Sequence, residues 1–193
     1  MAASSRLLAG LALAAAAAVA GCGGAANGGD YAAADAFAWL RPAQPPTDWT
    51  IARLPSGAAA LAYPPAWRPI RTDPGTVSAA LLGSHGRIRG YLNATPQSGA
   101  ETLANWSHFR PDHNHEEGDR DIVTETAATH LRFRAGTGSC LIDRYTTASA
   151  RYREIACIVH GSRATTVVVA AAPPQDWARL APTLRRSVAS FST

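Results

Sequence analysis

Apolar positions fall into one unbroken run near the N-terminus, followed by a series of short segments. The run is Leu7 to Ala20, built only from Leu, Ala, Val and Gly. Asp30 to Leu40, with Tyr31, Phe37 and Leu40 as its larger apolar residues, reads either as a short helix or as unstructured chain. Pro42, Pro45 and Pro46 end it. Asp48 to Leu54 and Ala58 to Tyr63 then predict two strands around the turn Pro55-Ser56-Gly57. Thr76 to Leu82 and Arg87 to Thr95 predict two more around Gly83-Ser84-His85-Gly86.

The pattern then changes period. Leu103, Trp106 and Phe109 recur at helical spacing after Ser98-Gly99-Ala100-Glu101, which has the form of a capping box. Pro111 is expected to end this helix, and Asp112 to Asp121 reads as a polar loop. Asp121 to Thr126 and Thr129 to Arg134 predict strands, with a turn at Gly136-Thr137-Gly138. Ser139 to Thr146 and Arg151 to His160 predict a hairpin about Ala148-Ser149. Ala164 to Ala172 is nearly continuous in apolar residues, the signature of a central strand buried on both faces. Gln175 to Ser190 predicts the last helix, with Trp177, Leu180, Leu184 and Val188 on one face, continued by Phe191. Pro182 lies inside it and is expected to kink it or begin a second short helix.

The first apolar run differs in kind from the rest. It follows a short head whose one positive side chain is Arg6, as in a secretory signal. It is shorter than the roughly 20 apolar residues a permanent span requires. Val19-Ala20-Gly21-Cys22 resembles the lipobox of bacterial lipoprotein signal peptides. Two cleavages compete. A cut before Cys22 makes that cysteine the lipidated mature N-terminus. A cut before Gly21, after Ala18-Val19-Ala20, leaves its thiol free. The lipoprotein reading gives the cysteine a use. It divides the chain into a signal peptide (1–21), a lipidated flexible tether with a possible short helix (22–46) and one globular domain (47–193). It makes the membrane the first partner, with the protein exported and held on the outer face of the cytoplasmic membrane by the two acyl chains of a diacylglyceryl group.

Composition narrows the remaining classes. Every Lys or Arg among the 193 residues is Arg, and Ala, Gly and Pro are abundant, a bias expected of GC-rich coding of the actinobacterial type. The net charge of +4 is spread along the chain, without the concentrated basic stripe of a nucleic-acid binder. Three cysteines are present, Cys22, Cys140 and Cys157. Lipidation of Cys22 leaves an even pair, and in an oxidising compartment a Cys140–Cys157 disulfide is the default, against two buried free thiols. A symmetric hairpin about Ala148-Ser149 sets Cys140 opposite Cys157. The same register opposes Asp143 to Glu154 and Arg144 to Arg153, and like charges directly opposite are unfavourable. Either a bulge shifts the pairing or diagonal Arg–acid contacts offset it.

Leu54-Pro55-Ser56-Gly57, Tyr63-Pro64-Pro65-Ala66-Trp67 and Val188-Ala189-Ser190-Phe191, with the element order, resemble the PsbP/Mog1-like α/β/α sandwich, which also occurs in small actinobacterial lipoproteins. The resemblance covers about Thr47 to Phe191. It implies an α+β fold, an antiparallel β-sheet with flanking helices. It also implies a binding or assembly factor with no shared catalytic constellation.

Candidate chemistry is sparse. His108, His113 and His115, with the carboxylates of Asp112, Glu116 and Glu117, form the most metal-like cluster; the alternative is an exposed charged loop. Arg132, Arg134, Arg144, Arg151 and Arg153 could converge on an anionic ligand or lipid headgroups, or simply form a solvated sheet face. Trp106 and Trp177 read as core, and Trp67 as core or groove wall. No Gly-x-Ser-x-Gly elbow, phosphate-binding loop or dinucleotide fingerprint is present. The sequence thus points to a membrane-tethered lipoprotein binding a protein, lipid or other cell-envelope component, with no cofactor, no catalytic residue and no nucleic-acid partner. A metal-binding protein or metal-dependent enzyme using the His cluster is the first alternative. A purely structural envelope protein is the second.

Overall fold

The computed structural model describes residues 35–71 and 73–193. The expected signal peptide (1–21), the expected lipidation site Cys22 and the Gly-rich part of the expected tether lie outside the described residues. Strands β1 (Thr50–Arg53) and β2 (Ala60–Tyr63) form an antiparallel hairpin, with Gly57 at φ 70° in its connecting turn. Seven further strands follow: β3 (Arg68–Pro69), β4 (Val77–Leu82), β5 (Ile88–Pro96), β6 (Arg120–Phe133), β7 (Gly136–Thr146), β8 (Arg151–Gly161) and β9 (Thr165–Ala172). They form one antiparallel sheet in the order β3-β4-β5-β9-β8-β7-β6. Helix α1 (Trp106–Glu116) covers one face. Helix α2 (Pro174–Ser190) and the β1–β2 hairpin cover the other.

Strand β9 is central, as its apolar run predicts. Val167 and Val169 point to the α1 side, while Val168, Ala170 and Ala172 point to the α2 side. Burial of each Val contributes about 1.5–3 kcal/mol, and β-branched side chains suit the pleated surface. The larger core lies under α2, where Trp177, Leu180, Leu184 and Val188 pack on Ile155, Cys157, Val159 and Leu92. Pro182 neither breaks α2 nor starts a new helix. It lies on the exposed face, as does Ala178, whose carbonyl loses its helical donor to the proline but remains open to water. Trp67 is core: its ring lies so close to Gly90 that a Cβ there would meet it at 2.6 Å.

The chain before the hairpin also belongs to the packed body. Phe37 and Leu40 are buried in the larger core. Ala43 N–H donates to Ala189 O at 3.0 Å, Arg186 Nη2 donates to Gln44 O at 3.0 Å, and Arg185 lies over the Trp39 ring. This strap fastens the segment to the outer side of α2.

Four local expectations need correction. Glu101 does accept from the N–H groups of Ser98 and Gly99, at 2.7 and 2.8 Å, but this folds a turn and no helix begins there. A reciprocal pair lies in the turn just before the helix, where Thr102 Oγ1 accepts from Asn105 N–H and Asn105 Oδ1 accepts from Thr102 N–H. Pro111 lies inside α1, so residues 112–116, expected as loop, are helical. The helix ends at Gly118 (φ 93°), where Gly118 N–H donates to His115 O and Asp119 N–H to Asn114 O, the Schellman pattern. The two strands expected over 121–134 are one bent strand. Its register shifts fall at Asp121 and His130, both left-handed, and between Thr124 and Thr126. The turn expected at 136–138 lies at Arg134-Ala135, and Gly136 opens β7.

Candidate functional site

The β7–β8 hairpin has the symmetric register its sequence predicts. Cys140 pairs with Cys157, Asp143 with Glu154 and Arg144 with Arg153. The Cys140–Cys157 disulfide joins the two strands, with Cα atoms 4.1 Å apart, on the α2 side of the sheet. No bulge shifts the pairing and no diagonal Arg–acid contact forms within the hairpin. Arg110 of α1 pairs with Glu154, and Glu125 of β6 pairs with Arg153.

On the α1 side, Arg110 reaches down from the helix. Its Nε and Nη2 donate to the two carboxylate oxygens of Glu154, at 2.8 and 3.1 Å. Tyr145 Oη donates to the same carboxylate at 3.0 Å. Asp143 and Glu154 are both fully buried. Neither oxygen of Asp143 accepts a hydrogen bond from a described residue, and the Asn114 amide, one helical turn beyond Arg110, is likewise buried and unpaired. Burial, reinforced by the Glu154 charge and only partly offset by Arg110, pushes the Asp143 carboxyl up to about 8. Burial alone would favour a neutral Arg110, but Glu154 outweighs it and raises its pKa. Burial and Glu154 together push the Tyr145 phenol well up. Trp106, Arg110 and Asn114 recur every fourth residue, so one helix stripe carries an apolar anchor followed by polar groups. Trp106 Nε1 donates to Ala156 O at 3.0 Å and Ser139 Oγ donates to Leu103 O at 2.6 Å, fixing α1 over this cluster.

At the tip of the same hairpin the surface opens into two adjoining grooves, of about 560 and 520 Å³, which share Arg151 and Tyr152. One runs between the hairpin tip, the N-terminus of α2 and Arg87-Ile88 of the β4–β5 connection. The other is walled by Asp121, Arg144, Tyr145, Thr146 and Pro174. Arg144 and Arg151 are diagonal neighbours on one sheet face, because Arg144 pairs with Arg153 and Thr146 with Arg151. Arg153 is drawn away: its Nε donates to Glu125 Oε2 at 3.0 Å and its guanidinium stacks 4.7 Å from the Trp177 ring centre. Arg87, Arg144 and Arg151 form no ion pair with a described residue. Arg132 and Arg134, expected to join this patch, lie at the other end of β6, where Arg132 pairs with Thr137. At the start of α2, the guanidinium of Arg89, aided by Arg179, holds the Asp176 carboxyl below the usual carboxylate value.

The His cluster is dispersed by its own helix. His108 and His115 share one side of α1 but are separated by a rise of roughly 10 Å, and His113 points about 140° away from His108. His113 stacks on Phe109 and pairs with Glu117 at 3.3 Å. Among the described residues, no group of three His, Cys, Asp or Glu is placed to hold a metal ion.

Arg87, Arg110, Tyr145 and Tyr152 were not singled out by the sequence. One signal was available for Arg110: an Asp143–Glu154 pair in register demands a cation from another layer, and Arg110 is one helical turn past the buried Trp106.

Cyanobacterial PsbP (CyanoP) from Synechocystis sp. PCC 6803 superposes with a TM-score of 0.54 at 14% identity, over 76% of this chain and 92% of its own. The fold is PsbP-like. PA94 from Pseudomonas aeruginosa, a protein of unknown function and putative regulator, superposes with a TM-score of 0.50 at 14% identity, over 75% of this chain and 96% of its own. LpqN, involved in cell envelope biogenesis of Mycobacterium tuberculosis, matches at 0.42 with 14% identity, over 75% of this chain and 89% of its own. No family model matches the chain, and no curated protein matches it by sequence. None of the described helices is long and apolar enough to cross a membrane.

Proposed function

We propose that this protein is an exported lipoprotein, anchored through Cys22 to the outer face of the cytoplasmic membrane, whose PsbP-like domain binds a cell-envelope component without catalysing its conversion. The carrying observation is the pair of open grooves at one end of the sheet, lined by guanidiniums, phenols and prolines from four separate segments. Such convergent polar groups in a concave surface suit recognition. The lipobox Val19-Ala20-Gly21-Cys22 supports the anchored location. The test is fractionation of cells expressing the chain and its Cys22→Ala variant, with mass spectrometry of the mature N-terminus. The expected result is a diacylated Cys22 in the membrane fraction, lost in the variant. A mature protein starting at an unmodified Gly21 would overturn the anchor.

A further inference from the structure

We infer that Arg144 and Arg151, with Arg87 across the adjoining groove, form a binding site for a phosphate-bearing ligand; this names the ligand class of the binding function proposed above and rests on that reading. The argument starts from an uncompensated charge. The strand register sets Arg144 directly opposite Arg153 and diagonal to Arg151, an arrangement that is unfavourable by itself. The fold neutralises one of the three, because Arg153 has Glu125 and the Trp177 ring. Arg144 and Arg151 are left without a carboxylate partner, and Arg87 enters the adjoining groove from a different strand connection. Asp121 is the one acidic residue lining either groove, so three guanidiniums face a single carboxylate.

The geometry favours an oxyanion with several acceptor oxygens. Guanidinium groups bind phosphate through paired N–H donors, and forks from separate elements can share a tetrahedral anion in a way one carboxylate cannot match. Tyr152 borders both grooves and offers a ring and a phenol. The shared chemistry could be supplied by a free phosphate or pyrophosphate group, or by the phosphodiester headgroup of a lipid.

Calorimetric titration of the detergent-solubilised full-length protein separates these. The probes are inorganic phosphate, pyrophosphate and glycerophosphoglycerol, a water-soluble diester headgroup. The expected result is saturable binding of at least one probe, weakened tenfold or more by Arg144→Gln and by Arg151→Gln but unchanged by Arg132→Gln, which removes the same charge at the other end of β6. Preference for pyrophosphate identifies a free phosphate source, and preference for the diester identifies a headgroup. Unchanged circular dichroism and thermal midpoint in the variants show that the fold is intact. Absence of binding to all three probes, or equal weakening by Arg132→Gln, overturns the site. A null titration with a lipidated Cys22 would remove the phosphate site alone. An unlipidated Cys22 with intact titration would remove only the anchor.

Discussion

Asp143 and Glu154 stand directly opposite each other on β7 and β8, both fully buried, and Arg110 pairs with Glu154 alone. Two acids and one cation share a site closed to water, so ionising both acids leaves one negative charge uncompensated.

Stability is therefore expected to fall as pH rises. The Asp143 carboxyl is held up to about 8 by burial and by Glu154, whereas in the unfolded chain it titrates near its ordinary value of 3.8. Between those values the native state binds the extra proton, and raising the pH through this window weakens it by up to about 1.4 kcal/mol per pH unit. Thermal unfolding of the wild type and Asp143→Asn at pH 5 and pH 8 checks this. The variant is expected to lose most of the pH dependence and to be the more stable protein at pH 8. An equal pH slope in both proteins would reject the assignment to Asp143.

Removing Arg110 leaves Glu154 buried without its counter-charge. Arg110→Met is expected to cost about 3–5 kcal/mol in urea unfolding. The double variant Arg110→Met/Glu154→Leu is expected to recover most of the loss, because it removes the stranded charge as well as the pair.

The Cys140–Cys157 bridge closes a segment with a sequence separation of 17 inside the larger core. Replacing both cysteines with Ala is expected to lower stability by about 3 kcal/mol in a chain-entropy account. Both cysteines are inaccessible, so thiol titration of the oxidised protein under native reducing conditions should proceed only as fast as the protein opens.

Phe37 ties the chain N-terminal to the hairpin into the core. Phe37→Ala is expected to cost about 3–5 kcal/mol. Limited proteolysis should then cut between residues 35 and 46, where the wild type resists, if the strap on α2 depends on this ring.

The sheet was largely legible in the sequence because its signals are local. Alternation marked most strands, and the continuous Val and Ala of β9 marked the centre. The symmetric spacing about Ala148-Ser149 was enough to place Cys140 against Cys157. Local signals misled where two segments offered the same chemistry. Ser98–Glu101 and Thr102–Asn105 both have capping potential, but Glu101 spends its carboxylate on a turn, and the reciprocal Thr102–Asn105 pair closes the turn that leads into α1. Pro111 marked a helix end by its lost N–H, yet α1 continues through it: Trp106 before the proline bonds Ala156 O, and Asn114 beyond it is still buried on the inner stripe.

By itself the sequence determined an antiparallel α+β domain and the register of its β7–β8 hairpin. These follow from runs, periods and spacings that a chain carries along its own length. Tertiary structure alone decided how the opposed charges are resolved. Arg110 meets Glu154 from another layer, 44 residues away in the chain, and Arg87 reaches the groove beside Arg151 from a different strand connection. It also separated His108, His113 and His115, which are close in sequence, by winding them around one helix. Charge compensation and ligand geometry depend on distances across layers, and those exist only once the layers are packed.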